Sequence, residues 1–109
     1  MKDRLYLLRP GFSDPDYPGA TFYCWHCALM EGVLASFPDL ATRIDVRRIA
    51  WPRPRTEIAD LLGSENQSLP VLVLSDQRDP VTGRPTFIDD KDGILKALTE
   101  RHGFPLPHP

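Results

Sequence analysis

Long apolar runs are missing from this sequence, and so is any surplus of positive charge. No stretch approaches the roughly 20 apolar residues that a membrane-spanning helix needs, so no membrane partner is expected. Thirteen Lys and Arg stand against fifteen Asp and Glu, a formal net charge of −2. Proteins that bind nucleic acid usually carry a basic surplus or stripe, so no nucleic-acid partner is expected either. Arg47, Arg48, Arg53 and Arg55 form only a local basic cluster. Met1-Lys2-Asp3-Arg4 runs into a short apolar segment without a cleavage-type ending. It does not read as a signal peptide, and the expected location is cytoplasmic. Cysteine is scarce, with two in the chain, at positions 24 and 27. A disulfide between them would close a tiny loop and constrain the unfolded chain little, which argues against a stabilising bridge. In a reducing compartment such a pair is catalytic or metal-binding more often than structural.

What is present fits one soluble domain spanning 1–109, of which 104–109 is an extended Pro-rich tail. Leu5-Tyr6-Leu7-Leu8 is a continuous apolar run suited to a strand covered on both faces. Pro10 to Gly19 is loop chemistry throughout. Met30, Val33, Leu34 and Phe37 recur at helical spacing over Cys27–Phe37, and Pro38 ends that helix. Ile44–Ile49 reads as a second strand, Trp51–Arg55 as an extended connector, and Ile58, Leu61 and Leu62 as the stripe of a helix stopped by Gly63. After Leu69-Pro70 comes a second apolar run, Val71–Leu74. Turn signals over Asp76–Arg84 lead to a short strand at Pro85–Ile88. Asp89, Asp90 and Asp92 then precede Ile94, Leu95 and Leu98, as acids favour a helix start, and His102-Gly103 closes that helix. The order is βαβαββα. Its first half demands a right-handed crossover and a parallel pair. The expectation is an α/β fold with one four-stranded mixed sheet flanked by helices.

Cys24-Trp25-His26-Cys27 stands at the start of the first helix. Unpaired N–H groups and the helix dipole favour an anion there, and the thiolate is the reactive form of cysteine. Cys27 shares a helical face with Cys24 and can close a disulfide with it. Cys24 is therefore the candidate nucleophile and Cys27 the resolving thiol. His26 is a candidate cationic neighbour and Trp25 an apolar platform. Two cysteines at this spacing also make half of many zinc sites, with His26, His102 and His108 as the histidines on offer, but no second spaced pair exists. Another alternative is two ordinary reduced cysteines in a scaffold that binds a peptide or glutathione and turns over nothing. No metal and no tightly bound cofactor is expected.

The pattern resembles the thioredoxin superfamily in its glutaredoxin-like branch, and also a small bacterial family of uncharacterised proteins assigned to that fold. The resemblance rests on Cys24-Trp25-His26-Cys27 after an apolar strand, Leu69-Pro70-Val71 before an apolar run, and Thr86-Phe87-Ile88-Asp89-Asp90 before the last helix. It spans Leu5 to His102. It implies a cis peptide at Pro70, with the Leu69 backbone turned toward Cys24 to pair with an extended peptide or glutathione. It implies thiol–disulfide oxidoreductase activity, with a protein thiol or disulfide, or glutathione as co-substrate, for partner. Arg53 and Arg55 then stand near where a glutathione carboxylate is held, a task suited to arginine's planar fork of donors, although a solvated basic turn is the more common reading of such a pair. Asp89 and Asp90 stand near the place of its amino group, although helix capping explains them equally well. Tyr23 and Trp51 are candidates to flank the cysteines. Three features depart from the glutaredoxin pattern: a longer loop from Pro10 to Tyr23, Leu in place of a β-branched residue before Pro70, and Trp-His in place of Pro-Tyr inside the motif. A histidine before the second cysteine is similar to disulfide isomerases and periplasmic oxidants, which work outside the cytoplasm.

Overall fold

In the computed structural model, which describes residues 1–109, β1 (Arg4–Leu8) feeds two cores at once. Successive strand side chains point to opposite faces. Leu5 and Leu7 accordingly enter one cluster with Leu72 and Leu74, while Tyr6 enters another with Val71 and Val73. Burial on both faces is why these strands read as unbroken apolar runs. β1 pairs in parallel with β2 (Asp45–Ile49) and antiparallel with β3 (Val71–Arg78), which pairs antiparallel with β4 (Pro85–Ile88). The sheet order is β2-β1-β3-β4. Met30 and Leu34 of α1 (Trp25–Ser36), with Ile94 and Leu98 of α4 (Lys91–His102), close the Leu5/Leu7 face. Ile58 and Leu62 of α3 (Thr56–Leu62) close the Tyr6 face. Each large aliphatic side chain withdrawn from water contributes about 1.5–3 kcal/mol before the entropy of ordering it is subtracted. A four-stranded mixed sheet with helices on both faces is consistent with the thioredoxin-like layout.

Three local features differ from the sequence expectation. Pro38 ends α1 at Ser36 but also starts a one-turn helix, α2 (Pro38–Ala41), because proline suits the first helical position. β3 continues through Ser75-Asp76-Gln77-Arg78, although the sequence signals turn from Asp76 on, and it ends with Arg78 opposite Pro85 beyond a register shift. The loop after β1 is pinned by an antiparallel bridge between Phe12 and Phe22. Phe12 also stacks on Trp51, with ring centroids 5.4 Å apart.

The strand directions sort the chain into two ends. The C-terminal ends of β1, β2 and β4 and the N-terminal end of β3 lie together, because Tyr6 pairs with both Arg47 and Val71, and Leu72 with Ile88. At the opposite end Asp3 is buried and its carboxylate ties β3 to α4. Its carboxylate accepts Ser75 N–H at 2.8 Å, Arg101 Nε at 2.7 Å and Nη2 at 2.9 Å, and lies 2.7 Å from His102 Nε2. Burial alone would push the Asp3 carboxyl up. The hydrogen bonds from Arg101, Ser75 and His102 outweigh it and hold the group well below the usual carboxylate range.

Candidate functional site

Cys24 has extended backbone (φ −79°, ψ 118°) and is the N-cap of α1. Ser, Thr, Asp or Asn normally fills that position, because a side-chain acceptor must take an orphaned N–H of the first turn. Here sulfur does it: Cys24 Sγ accepts the Cys27 N–H at 3.2 Å. No carboxylate stands in the first turn to compete for the positive end of the helix. Cys24 is half-buried, and Cys27, one turn on, is buried at 2% exposure. Cys27 Sγ in turn accepts the Leu8 N–H of β1 at 3.4 Å, which fixes the motif to the end of the central strand. Both cysteines are free thiols. Burial pushes the Cys27 thiol up to about 12; the Leu8 N–H works against that shift, and the neighbouring Cys24 and Glu31 reinforce it.

A cavity of about 300 Å³ borders both cysteines, between Leu8 and Pro10 on one side and Tyr23, Ala28 and Glu31 on the other. Glu31 is held by Arg48 of β2 through a two-pronged contact, Nε to Oε2 at 2.9 Å and Nη2 to Oε1 at 2.7 Å. That guanidinium keeps the Glu31 carboxyl below its ordinary value. Glu31 went unnoticed in the sequence, although its spacing of four from Cys27 puts the two on one helical face.

Apart from His102 and His108, the other candidates fall at the same end of the sheet, in different settings. Trp25 is 70% exposed and Tyr23 is 65% exposed, so both present aromatic surface beside the motif. The His26 ring lies against Trp25, centroids 3.9 Å apart, and its Nε2 is buried without a hydrogen-bond partner. Leu69-Pro70 is cis, and Leu69 and Cys24 pack against the same apolar cluster. A second cis peptide, Arg53-Pro54, was not anticipated. Arg53 is exposed in the connector before α3. Arg55 is buried, and its side chain donates to backbone carbonyls of Trp51 and Gln67. Asp89 is exposed, whereas the Asp90 carboxylate caps α4 by accepting Gly93 N–H at 2.7 Å. His102 belongs to the Asp3 cluster at the far end, and His108 is exposed in the tail. No group of three or more His, Cys, Asp or Glu side chains is gathered to hold a metal ion. Gln67, which holds the Arg55 backbone, was invisible in the sequence because its polar loop has no periodicity. No helix is long and apolar enough to cross a membrane.

Fold and site together define an α/β protein with two cysteines, three residues apart, at a helix N-terminus. A family model described as protein of unknown function (DUF3088) matches residues 2–106, and the chain belongs to that family. Comparison with curated proteins and with solved structures finds no match.

Proposed function

We propose that the protein is a thiol–disulfide oxidoreductase of glutaredoxin-like type. The observation that carries this reading is the division of labour between the two sulfurs. Cys24 caps α1 and is half-buried, while Cys27 is buried behind it. The sulfur that caps the helix is the one a substrate can reach, and the thiolate is the form that attacks. The Cys24 thiolate attacks one sulfur of a substrate disulfide, and the first substrate thiolate departs and is protonated by solvent. Cys27 then loses its proton to solvent and attacks Cys24 Sγ. The Cys24–substrate bond breaks, and the second substrate sulfur leaves as a thiolate. The dithiol gives up two electrons and becomes a disulfide, and the substrate disulfide becomes two thiols.

The partner is a thiol or disulfide of a protein or of glutathione. Trp25, Leu69 and Pro70 supply the apolar and backbone surface beside the sulfur, His26 a neighbouring imidazole, and Arg53 and Asp89 the exposed charges at the same end, whereas Arg55 and the Asp90 carboxylate are engaged within the protein. The test is mixed-disulfide trapping. Cys27→Ser protein incubated with oxidised glutathione is expected to accumulate one glutathione adduct on Cys24, read by mass spectrometry, and Cys24→Ser protein none. An adduct on neither variant, or equal labelling of both, contradicts the assignment.

A further inference from the structure

The long loop between β1 and the dithiol is folded back on itself and pinned. The N–H groups of Gly11 and Phe12 donate to the Phe22 carbonyl at 2.8 and 3.1 Å, and Phe22 N–H donates to the Phe12 carbonyl at 2.7 Å. Phe12 is braced by its stack on Trp51. Pro10 and Tyr23 flank that bridge, one at each end of the loop, and both line the cavity that borders Cys24 and Cys27. Its other walls are fixed as well. Leu8 donates its N–H to Cys27 Sγ, Ala28 follows the motif on α1, and Glu31 is gripped by Arg48. Leu69 and Pro70 do not line this cavity, so it is a second surface of the dithiol, separate from the cis peptide. Its volume, about 300 Å³, stands at the lower end of the roughly 300–1,000 Å³ of ligand pockets, which suits one side chain better than a larger ligand.

We propose that this cavity is a substrate subsite for an uncharged, apolar side chain next to the half-cystine of a protein disulfide. The inference rests on the exchange reading above and narrows its substrate class to protein or peptide disulfides flanked by an aliphatic or aromatic residue. Connectivity names the occupant. A substrate sulfur bonded to Cys24 brings its neighbouring residue to a cavity whose wall includes Cys24 itself. The chemistry of the wall selects among neighbours. Leu8, Pro10, Tyr23 and Ala28 offer apolar surface, and Glu31 is the only charged residue in the lining. Arg48 answers that carboxylate in a two-pronged pair, so an acidic neighbour meets a carboxylate and no uncommitted cation in the lining. Oxidised glutathione carries several carboxylates and no large apolar side chain, and gains nothing from the cavity. The exchange is the one set out above: the dithiol gives up two electrons, and the peptide disulfide becomes two peptide thiols.

The experiment mixes reduced protein with oxidised glutathione or with the homodisulfides of three capped peptides, acetyl-Leu-Cys-Leu-amide, acetyl-Gly-Cys-Gly-amide and acetyl-Asp-Cys-Asp-amide. The second-order rate of thiol release is read by acid quench and chromatography. Each rate is divided by that of dithiothreitol with the same disulfide, which removes intrinsic reactivity. The leucine peptide is expected to exceed the glycine peptide about tenfold, the scale on which an apolar pocket discriminates, with the aspartate peptide and oxidised glutathione at or below the glycine peptide. Ala28→Phe, at an exposed helical position, adds bulk to the α1 wall, and Tyr23→Ala removes the ring at the loop end. In each variant the leucine-to-glycine ratio is expected to fall to within about twofold of unity. A general loss of activity slows both peptides alike and leaves that ratio unmoved. A wild-type ratio below about threefold overturns the inference, as does oxidised glutathione or the aspartate peptide outpacing the leucine peptide. A preference that persists in both variants also overturns it, and its loss in either supports the cavity. Should one variant fail to fold, the other decides alone. Wild-type protein that reduces none of the disulfides refutes the exchange reading itself, whereas equal relative rates with all of them remove the subsite alone.

Discussion

Cys24 and Cys27 differ in what surrounds them, and the difference has consequences for each residue separately. Alkylation of the reduced protein by iodoacetamide near neutral pH is expected to modify Cys24 and to spare buried Cys27, read by peptide mass spectrometry. Cys27 also makes stability depend on alkaline pH. Its folded pKa, raised to about 12, lies above the free-thiol value of about 8.5. The stability it contributes is full below the free-thiol value and is lost as pH rises through the folded one, because only the unfolded chain releases the proton between the two. Urea denaturation between about pH 8 and about pH 10 is expected to show stability falling, with a shallower fall in Cys27→Ala. The cysteines were legible because spacing alone puts them on one face of a helix tip. Arg55 was legible as an arginine near the site but not as a buried one, since its burial depends on carbonyls of Trp51 and Gln67, twelve residues from Arg55 in the case of Gln67. No local pattern records that kind of contact.

Elements are set by their ends as much as by their apolar stripes. α4 begins at Asp90, whose carboxylate takes Gly93 N–H, and ends at Gly103, whose φ of 76° is the left-handed conformation glycine adopts freely. Asp90→Ala is expected to destabilise the protein by about 1 kcal/mol, read by chemical denaturation, whereas Asp90→Asn or Asp90→Ser retains most of that stability. The exposed Asp89→Ala serves as the control and is expected to change little. If both aspartates prove equally neutral, the cap is not what defines the start of α4. The strands and long helices were visible in the sequence because periodicity and punctuation agree over each of them. The extension of β3 through Ser75–Arg78 was not, because its polar side chains carry no apolar period and Ser75 is held by Asp3, far away in the sequence. α2 was missed for a related reason: Pro38 ends one helix and begins another, and one turn is too short to show a period.

Across the whole molecule the sheet separates the candidate site from the buried Asp3 cluster. The dithiol, the cis Leu69-Pro70 peptide and Arg55 lie at one end, and the Asp3 cluster with Ser75, Arg101 and His102 lies at the other. Removing one partner of a buried charge network is costly, so Asp3→Asn is expected to lose about 3 kcal/mol of stability. The sign of its pH dependence follows from the depressed pKa of Asp3. Its contribution is complete above the ordinary carboxylate value of about 3.9 and is lost as pH falls through the lower folded value. Wild-type stability is therefore expected to drop on acidification more steeply than that of Asp3→Asn, as read by urea denaturation. The most direct measurement of the central claim is a thiol-trapping titration of the wild-type chain across dithiothreitol or glutathione redox buffers. Cys24 and Cys27 are expected to pass together and reversibly between dithiol and disulfide in one two-electron transition that Cys24→Ser abolishes. Thiols that remain reduced across the whole range, or that oxidise only irreversibly or between molecules, would contradict it.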